Sequence, residues 1–286
     1  MPDTKLADGT AIHFDLLGTG PTVALISGGR REGAWLQPTA EKLAAAGYEV
    51  LLHDRRNCGT SDVVIERRFD AARELSEQEI WADDLNELLT QLGRRPAWVG
   101  GTSAGCRVSL LLAIRHPEAV GGLLLWRVTG GEYAAKSLGR SYYEQFTEVA
   151  ERDGMAGVIN TPFFAERIRQ NPANRDRLLA MDPKEFIAIM LFWRTYFRGD
   201  VPVVGVTEEE LRGIRVATLI ISGDDDTHPK EAADWLQARM PEAEFLPPTW
   251  SKAESDYLLQ DETRYGIATA EKLPPILLPF LNKHRV

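Results

Sequence analysis

The stretch Ala97-Trp98-Val99-Gly100-Gly101-Thr102-Ser103-Ala104-Gly105 decides how this chain is read. Residues 97–100 form a short apolar run of strand character. The residues after Gly105 carry Val108, Leu111, Leu112 and Ile114 at helical spacing. A strand that passes into a helix through so short a turn forces its central residue into a strained backbone conformation. Glycines two positions either side leave room for that turn. The Ser103 hydroxyl is thereby lifted above the sheet edge. The N–H of Ala104 falls at a helix N-terminus, where it can meet developing negative charge.

Outward from this turn, further apolar runs lie at 22–26, 49–54, 122–126 and 216–221. None alternates with polar residues, which predicts strands buried on both faces, as in a parallel sheet covered by helices. Helical periods fall between them. One spans 35–46. Another opens with the capping box Ser76-Glu77-Gln78-Glu79 and continues through Trp81, Leu85, Leu88 and Leu92 to Gly93. The expected class is α/β: a mostly parallel central sheet flanked by helices. From 130 to 213 the pattern turns helical, with Tyr142, Phe146 and Val149, then Phe186, Ile189, Met190, Trp193 and Phe197. Only 201–204 reads as strand there. The predicted organisation is a core of 1–129 and 214–286 with a helical cap inserted at 130–213. The core resumes with a helix at 232–240, a short strand at 243–246 and a closing helix at 276–281.

The chain has 286 residues, long for one ordinary domain but suited to a core with an insertion. Its 42 acidic and 33 basic residues give a formal charge of −9. That balance repels polyanions, so nucleic acid is not an expected partner. No apolar run reaches membrane-spanning length, and the start Met1-Pro2-Asp3-Thr4-Lys5 has no apolar leader. Cys58 and Cys106 make neither a disulfide framework nor a zinc spacing. A cytoplasmic protein with free thiols and no metal or cofactor is expected, as a monomer or homo-oligomer acting on a small-molecule substrate.

The strand–turn–helix context of Gly101-Thr102-Ser103-Ala104-Gly105 resembles the α/β-hydrolase superfamily, and the resemblance runs along nearly the whole chain. Asp8-Gly9-Thr10 and Gly18-Thr19-Gly20-Pro21 look like the family's opening strands. Ser27-Gly28-Gly29 stands where the family supplies its second oxyanion N–H. Asp54-Arg55-Arg56-Asn57-Cys58-Gly59-Thr60-Ser61 is similar to its D-x-R-G-x-G-x-S loop, and Arg115-His116-Pro117-Glu118-Ala119-Val120 to the end of its post-nucleophile helix. Gly223-Asp224-Asp225-Asp226-Thr227-His228-Pro229 is similar to its acid-bearing segment. The resemblance implies Ser103 as nucleophile, Gly29 and Ala104 as oxyanion donors, and Asp226 as acid, with Asp225 beside it as the alternative.

The family places its base after the last strand, but 246–254 contains no histidine. Five histidines are present. His13, His116 and His284 read as structural or terminal. His53 ends a parallel strand, and His228 lies in the acid loop, which makes it the candidate base. Arg30 and Arg31 follow the oxyanion turn and could hold a carboxylate or simply be solvated. Trp193 and Tyr196 could wall an apolar pocket or merely pack the cap, and Trp250 could fill the space of the missing base. The implied activity is serine-dependent cleavage of an ester, lactone or similar acyl bond. The alternatives are non-hydrolytic chemistry on the same fold (a lyase, an isomerase or cofactor-free chemistry) and a silent small-ligand-binding protein.

Overall fold

The computed structural model describes residues 3–71 and 73–284; Met1 and Pro2 of the leader reading lie outside them. Eight strands form one sheet: β1 (Asp3–Lys5), β2 (Ala11–Leu17), β3 (Thr22–Ile26), β4 (Glu49–His53), β5 (Ala97–Thr102), β6 (Val120–Trp126), β7 (Ala217–Ile221) and β8 (Glu244–Leu246). Their spatial order is β1-β2-β4-β3-β5-β6-β7-β8. β1 and β2 join antiparallel, and every pair from β4 to β8 is parallel.

The unbroken apolar runs are explained by two covered faces. Val23, Leu25, Val50, Leu52, Trp98, Leu124, Trp126, Leu219 and Ile221 face one cluster with α1 (Gln37–Ala45) and α13 (Pro274–Lys283). Ala24, Ile26, Leu51, Val99, Leu123, Leu125 and Ile220 face the other. There they meet α2 (Glu77–Gln91), α3 (Ala104–Arg115) and α10 (Lys230–Arg239). Side chains alternate across a strand, so a run of apolar residues supplies both layers at once. Ser76 and Glu79 form the expected reciprocal cap of α2.

Between β6 and β7 the chain passes through α4 (Gly131–Gly139), a π-helical turn (Arg140–Glu144), α5 (Gln145–Val158), α6 (Pro162–Gln170), α7 (Ala173–Leu179), α8 (Pro183–Arg194) and α9 (Glu208–Arg212). Tyr142, Tyr143, Phe146, Phe164, Phe186, Trp193 and Phe197 form its buried core. The predicted strand at 201–204 is reduced to one bridge, Val203 with Gly130. It rests on this helical excursion being tied back to the end of β6, where Val204 N–H donates to the Thr129 carbonyl at 3.2 Å. α11 (Lys252–Leu258) and α12 (Glu262–Lys272), absent from the sequence reading, precede α13.

Candidate active site

Ser103 joins β5 to α3 with φ 57° and ψ −109°. This is left-handed backbone that a residue with a Cβ adopts only under strain. The flanking glycines are explained by β3. A Cβ on Gly101 or on Gly105 would collide with the Ile26 carbonyl, and one on Gly100 with that of Leu124. The helix therefore sits directly against the neighbouring strand, and only Gly permits it. Ser103 N–H donates to the Arg127 carbonyl at 3.2 Å, which fixes the turn to the end of β6.

Ala104 is the first residue of α3, so its N–H has no partner within the helix. Gly28 lies beside the serine; a Cβ there would be 3.4 Å from Ser103 Cβ. The Gly28 carbonyl accepts from Arg31 N–H at 3.2 Å. In a trans peptide the Gly29 N–H then points the opposite way, out of that turn. Gly29 has φ +55°, and its own carbonyl is held by Arg55 Nη2 at 2.9 Å.

The Ser103 hydroxyl lies 3.3 Å from Thr129 Oγ1, which in turn accepts from Arg107 Nη1 at 2.8 Å. Among the described residues, no imidazole hydrogen-bonds Ser103. Arg107 is fully buried and also donates to Gln78. It is the one charge within the apolar run 104–114, and that was its only trace in the sequence.

The acid loop behaves differently from its sequence pattern. Asp226 is exposed and pairs with Lys252, so the Asp226 assignment does not survive as geometry. Its neighbour Asp225 has a side chain only 8% exposed. It accepts from His228 Nδ1 at 2.8 Å, from the Thr227 and His228 backbone N–H groups at 3.0 Å, and from Arg127 Nη2 at 2.7 Å. Burial opposes its charge, but His228 and Arg127 prevail and hold it well below the usual carboxylate range. Counting back from Pro229 rather than forward from Gly223 would have favoured Asp225. Glu132, three residues after Thr129, is exposed.

His228 is buried, with Nδ1 against Asp225 and Nε2 lacking a partner among the described residues. The carboxylate favours the proton on Nδ1, leaving the Nε2 lone pair free. Burial first, and then the Arg127 guanidinium 3.2 Å from Nδ1, pull its pKa down to about 4 despite Asp225. His228 and Ser103 border the same segment. Gly130 N–H donates to the Thr227 carbonyl, while Thr129 meets the serine. His53 is also buried, with both ring nitrogens unpartnered among the described residues, and burial drives its pKa down to about 3.

After β8, Trp250 packs on Tyr265 at 5.7 Å, and Tyr265 stacks on Trp35 at 4.8 Å. Tyr265 Oη accepts from Arg127 Nη1 at 2.8 Å. The crevice between Trp126, Arg127, Gly223, Thr249 and Trp250 leaves no room for a water molecule. Aromatic packing thus occupies the region where a histidine was missing. Trp193 lies inside the aromatic core of the helical excursion, against Tyr143. Tyr196 is packed against Phe197 and Gly205, away from Ser103's own contacts. Arg30 is buried on the rings of Tyr142, Tyr143 and Phe163 and pairs with Glu77 at 2.5 Å. The Cys106 thiol is buried, 3.1 Å from the Gly101 and Trp126 carbonyls, and burial pushes it up to about 12. Among the described residues, no group of three His, Cys, Asp or Glu is placed to hold a metal, and no helix is long and apolar enough to cross a membrane.

A family profile described as "alpha/beta hydrolase fold" matches residues 21–154. The uncharacterized hydrolase YraK of Bacillus subtilis (strain 168) is 34% identical over 117 residues, so the chain spans only 41% of that relative's length. A thermophilic esterase from Thermogutta terrifontis superposes with a TM-score of 0.66 at 20% identity, with all of both chains covered. Non-heme chloroperoxidase CPO-A1 of Kitasatospora aureofaciens is 32% identical across 99% of this chain and 100% of its own. A relative that similar from end to end, on a sheet of this order, settles the family: the chain belongs to the α/β-hydrolase superfamily.

Proposed function

We propose that the protein hydrolyses an ester, lactone or similar acyl bond of a small, largely apolar organic substrate, with Ser103 as the nucleophile. The observation that carries this reading is the Ser103 backbone, held at φ 57° between the Gly28-Gly29 turn and the first N–H of α3. Strain of this kind persists where the surroundings impose it, and in this reading it serves to present the hydroxyl to a carbonyl whose oxygen the N–H groups of Ala104 and Gly29 would receive. The Thermogutta structure is called an esterase, which agrees with this chemistry.

His228 is the base and Asp225, rather than Asp226, its orienting acid. For this step the serine side chain must leave Thr129 and Oγ must come within hydrogen-bond reach of Nε2. The imidazole takes the hydroxyl proton as Oγ attacks the carbonyl carbon, and the oxyanion settles on the N–H groups of Ala104 and Gly29. The imidazolium returns that proton to the leaving oxygen. Water then repeats the sequence on the acyl-enzyme.

A rival reading is a binding protein without turnover. It is favoured by Ser103 meeting Thr129 in place of an imidazole. A fluorophosphonate probe separates the two. Rapid labelling at Ser103, lost in Ser103→Ala, supports the hydrolase. A folded protein that stays unlabelled, and whose melting temperature rises with a bound ligand, supports the binder.

A further inference from the structure

Three buried guanidinium groups have no carboxylate within ion-pair distance among the described residues: Arg55, Arg107 and Arg167. Two of them flank the oxyanion turn. Arg55 Nη2 donates to the Gly29 carbonyl at 2.9 Å, and Arg167 Nη1, from α6, to the Arg30 carbonyl at 3.4 Å. Arg167 shares the Phe163 ring with Arg30. Nearby carboxylates are engaged elsewhere. Glu77 pairs with Arg30, Glu32 accepts from Gln170, Asp62 pairs with Arg177, and Asp54 accepts from Gly33 and Thr60 N–H.

The donors left over are Arg55 Nε and Nη1 and Arg167 Nε, all buried without an acceptor among the described residues. The Tyr142 hydroxyl is also buried without a partner among the described residues, and a Cβ on Gly29 would lie 3.7 Å from it. Burying charge without a counter-charge is costly, and an anion beside these groups would remove that cost. Carboxylates match the guanidinium fork.

We propose that Arg167, Arg55 and the Tyr142 hydroxyl form a carboxylate subsite beside the Gly28-Gly29 turn, so that the acyl substrate carries a carboxylate at its end remote from the scissile bond. This rests on the serine-hydrolase reading and names the substrate class for it. Arg30, neutralised by Glu77, walls the subsite.

The test compares monomethyl glutarate with dimethyl glutarate, which differ at the remote group. The charged ester should be hydrolysed with a kcat/KM about ten- to a hundredfold higher, the range for a charge-assisted hydrogen bond. In Arg167→Met that ratio should collapse toward one, and Arg167→Lys should restore part of it. Arg169→Met, on the exposed side of α6, should leave the ratio as it was. Because both esters are read on one sample, partial unfolding cancels. A wild-type preference for the diester, or a ratio unmoved in Arg167→Met, overturns the subsite.

If neither ester turns over and a fluorophosphonate leaves Ser103 unlabelled, the hydrolase reading falls by itself. The subsite is then judged by melting. Glutarate should raise the melting temperature of wild type but not of Arg167→Met, and equal shifts in both would refute it.

Discussion

The strain at Ser103 can be measured by removing it. Ser103→Ala and Ser103→Gly both delete the hydroxyl and its contact with Thr129. Only glycine also frees the backbone from the penalty of φ 57° and ψ −109°. That penalty is about 1–3 kcal/mol for a residue with a Cβ. Glycine gives back about 0.5–1 kcal/mol through the greater freedom of its unfolded chain. The Gly variant should therefore be more stable than the Ala variant by about 1 kcal/mol. A chain of this length unfolds with roughly 0.6 kcal/mol/K of entropy, so the difference is about 2 °C in melting temperature. Calorimetry and equilibrium urea unfolding, run side by side on the two variants, give it directly. An Ala variant as stable as the Gly variant, or more so, would show that the turn is relaxed and that the case for an imposed nucleophile conformation is mistaken.

Four other outcomes follow from the same geometry. Gly105→Ala drives a methyl into the Ile26 carbonyl, and because both sides are backbone it should cost about 3 kcal/mol or more, seen as loss of soluble protein or a much earlier urea midpoint. Asp225→Asn should lower kcat/KM by roughly 10²–10⁴-fold by releasing the His228 tautomer, whereas Asp226→Asn should change it by less than about twofold. With the His228 pKa pulled down to about 4, the imidazole stays neutral through mildly acidic solution. The kcat/KM profile should then hold to about pH 5 and fall below it, and an acid limb near 6.5 would point to another base. His53, also held neutral, acts on stability: the unfolded chain takes up its proton below about 6.5, the folded one only near 3. Stability should fall by roughly 4 kcal/mol as the pH drops through that window, and His53→Leu should flatten the slope of melting temperature against pH.

The parallel sheet was legible because doubly buried strands must be apolar at every position, and Val23 to Ile26 or Leu123 to Trp126 leave no other explanation. The serine turn was legible for a steric reason that the Ile26 carbonyl makes explicit. What the sequence hid depends on contacts between distant segments. Asp225 and Asp226 are chemically identical neighbours, and only the position of Arg127 and His228 separates the buried one from the exposed one. Thr129 and Arg107 reach the serine through folding alone. α11 and α12 lacked a clear apolar stripe, since Tyr257 and Ile267 point outward while a small cluster around Trp250 and Tyr265 holds them down.

The π-helical turn at Arg140–Glu144 lets two adjacent residues, Tyr142 and Tyr143, both lie buried, one near Gly29 and the other donating to Glu77 at 2.8 Å. An α-helix would set neighbours about 100° apart and could not seat both equally well. Deleting a single residue within that turn would wind it back into register and swing one phenol outward. The proposed carboxylate subsite would thus be reshaped by an indel of one codon, without altering any amino acid assigned to the reacting bond. Relatives of this protein that differ there by one residue in length would be expected to accept different molecules.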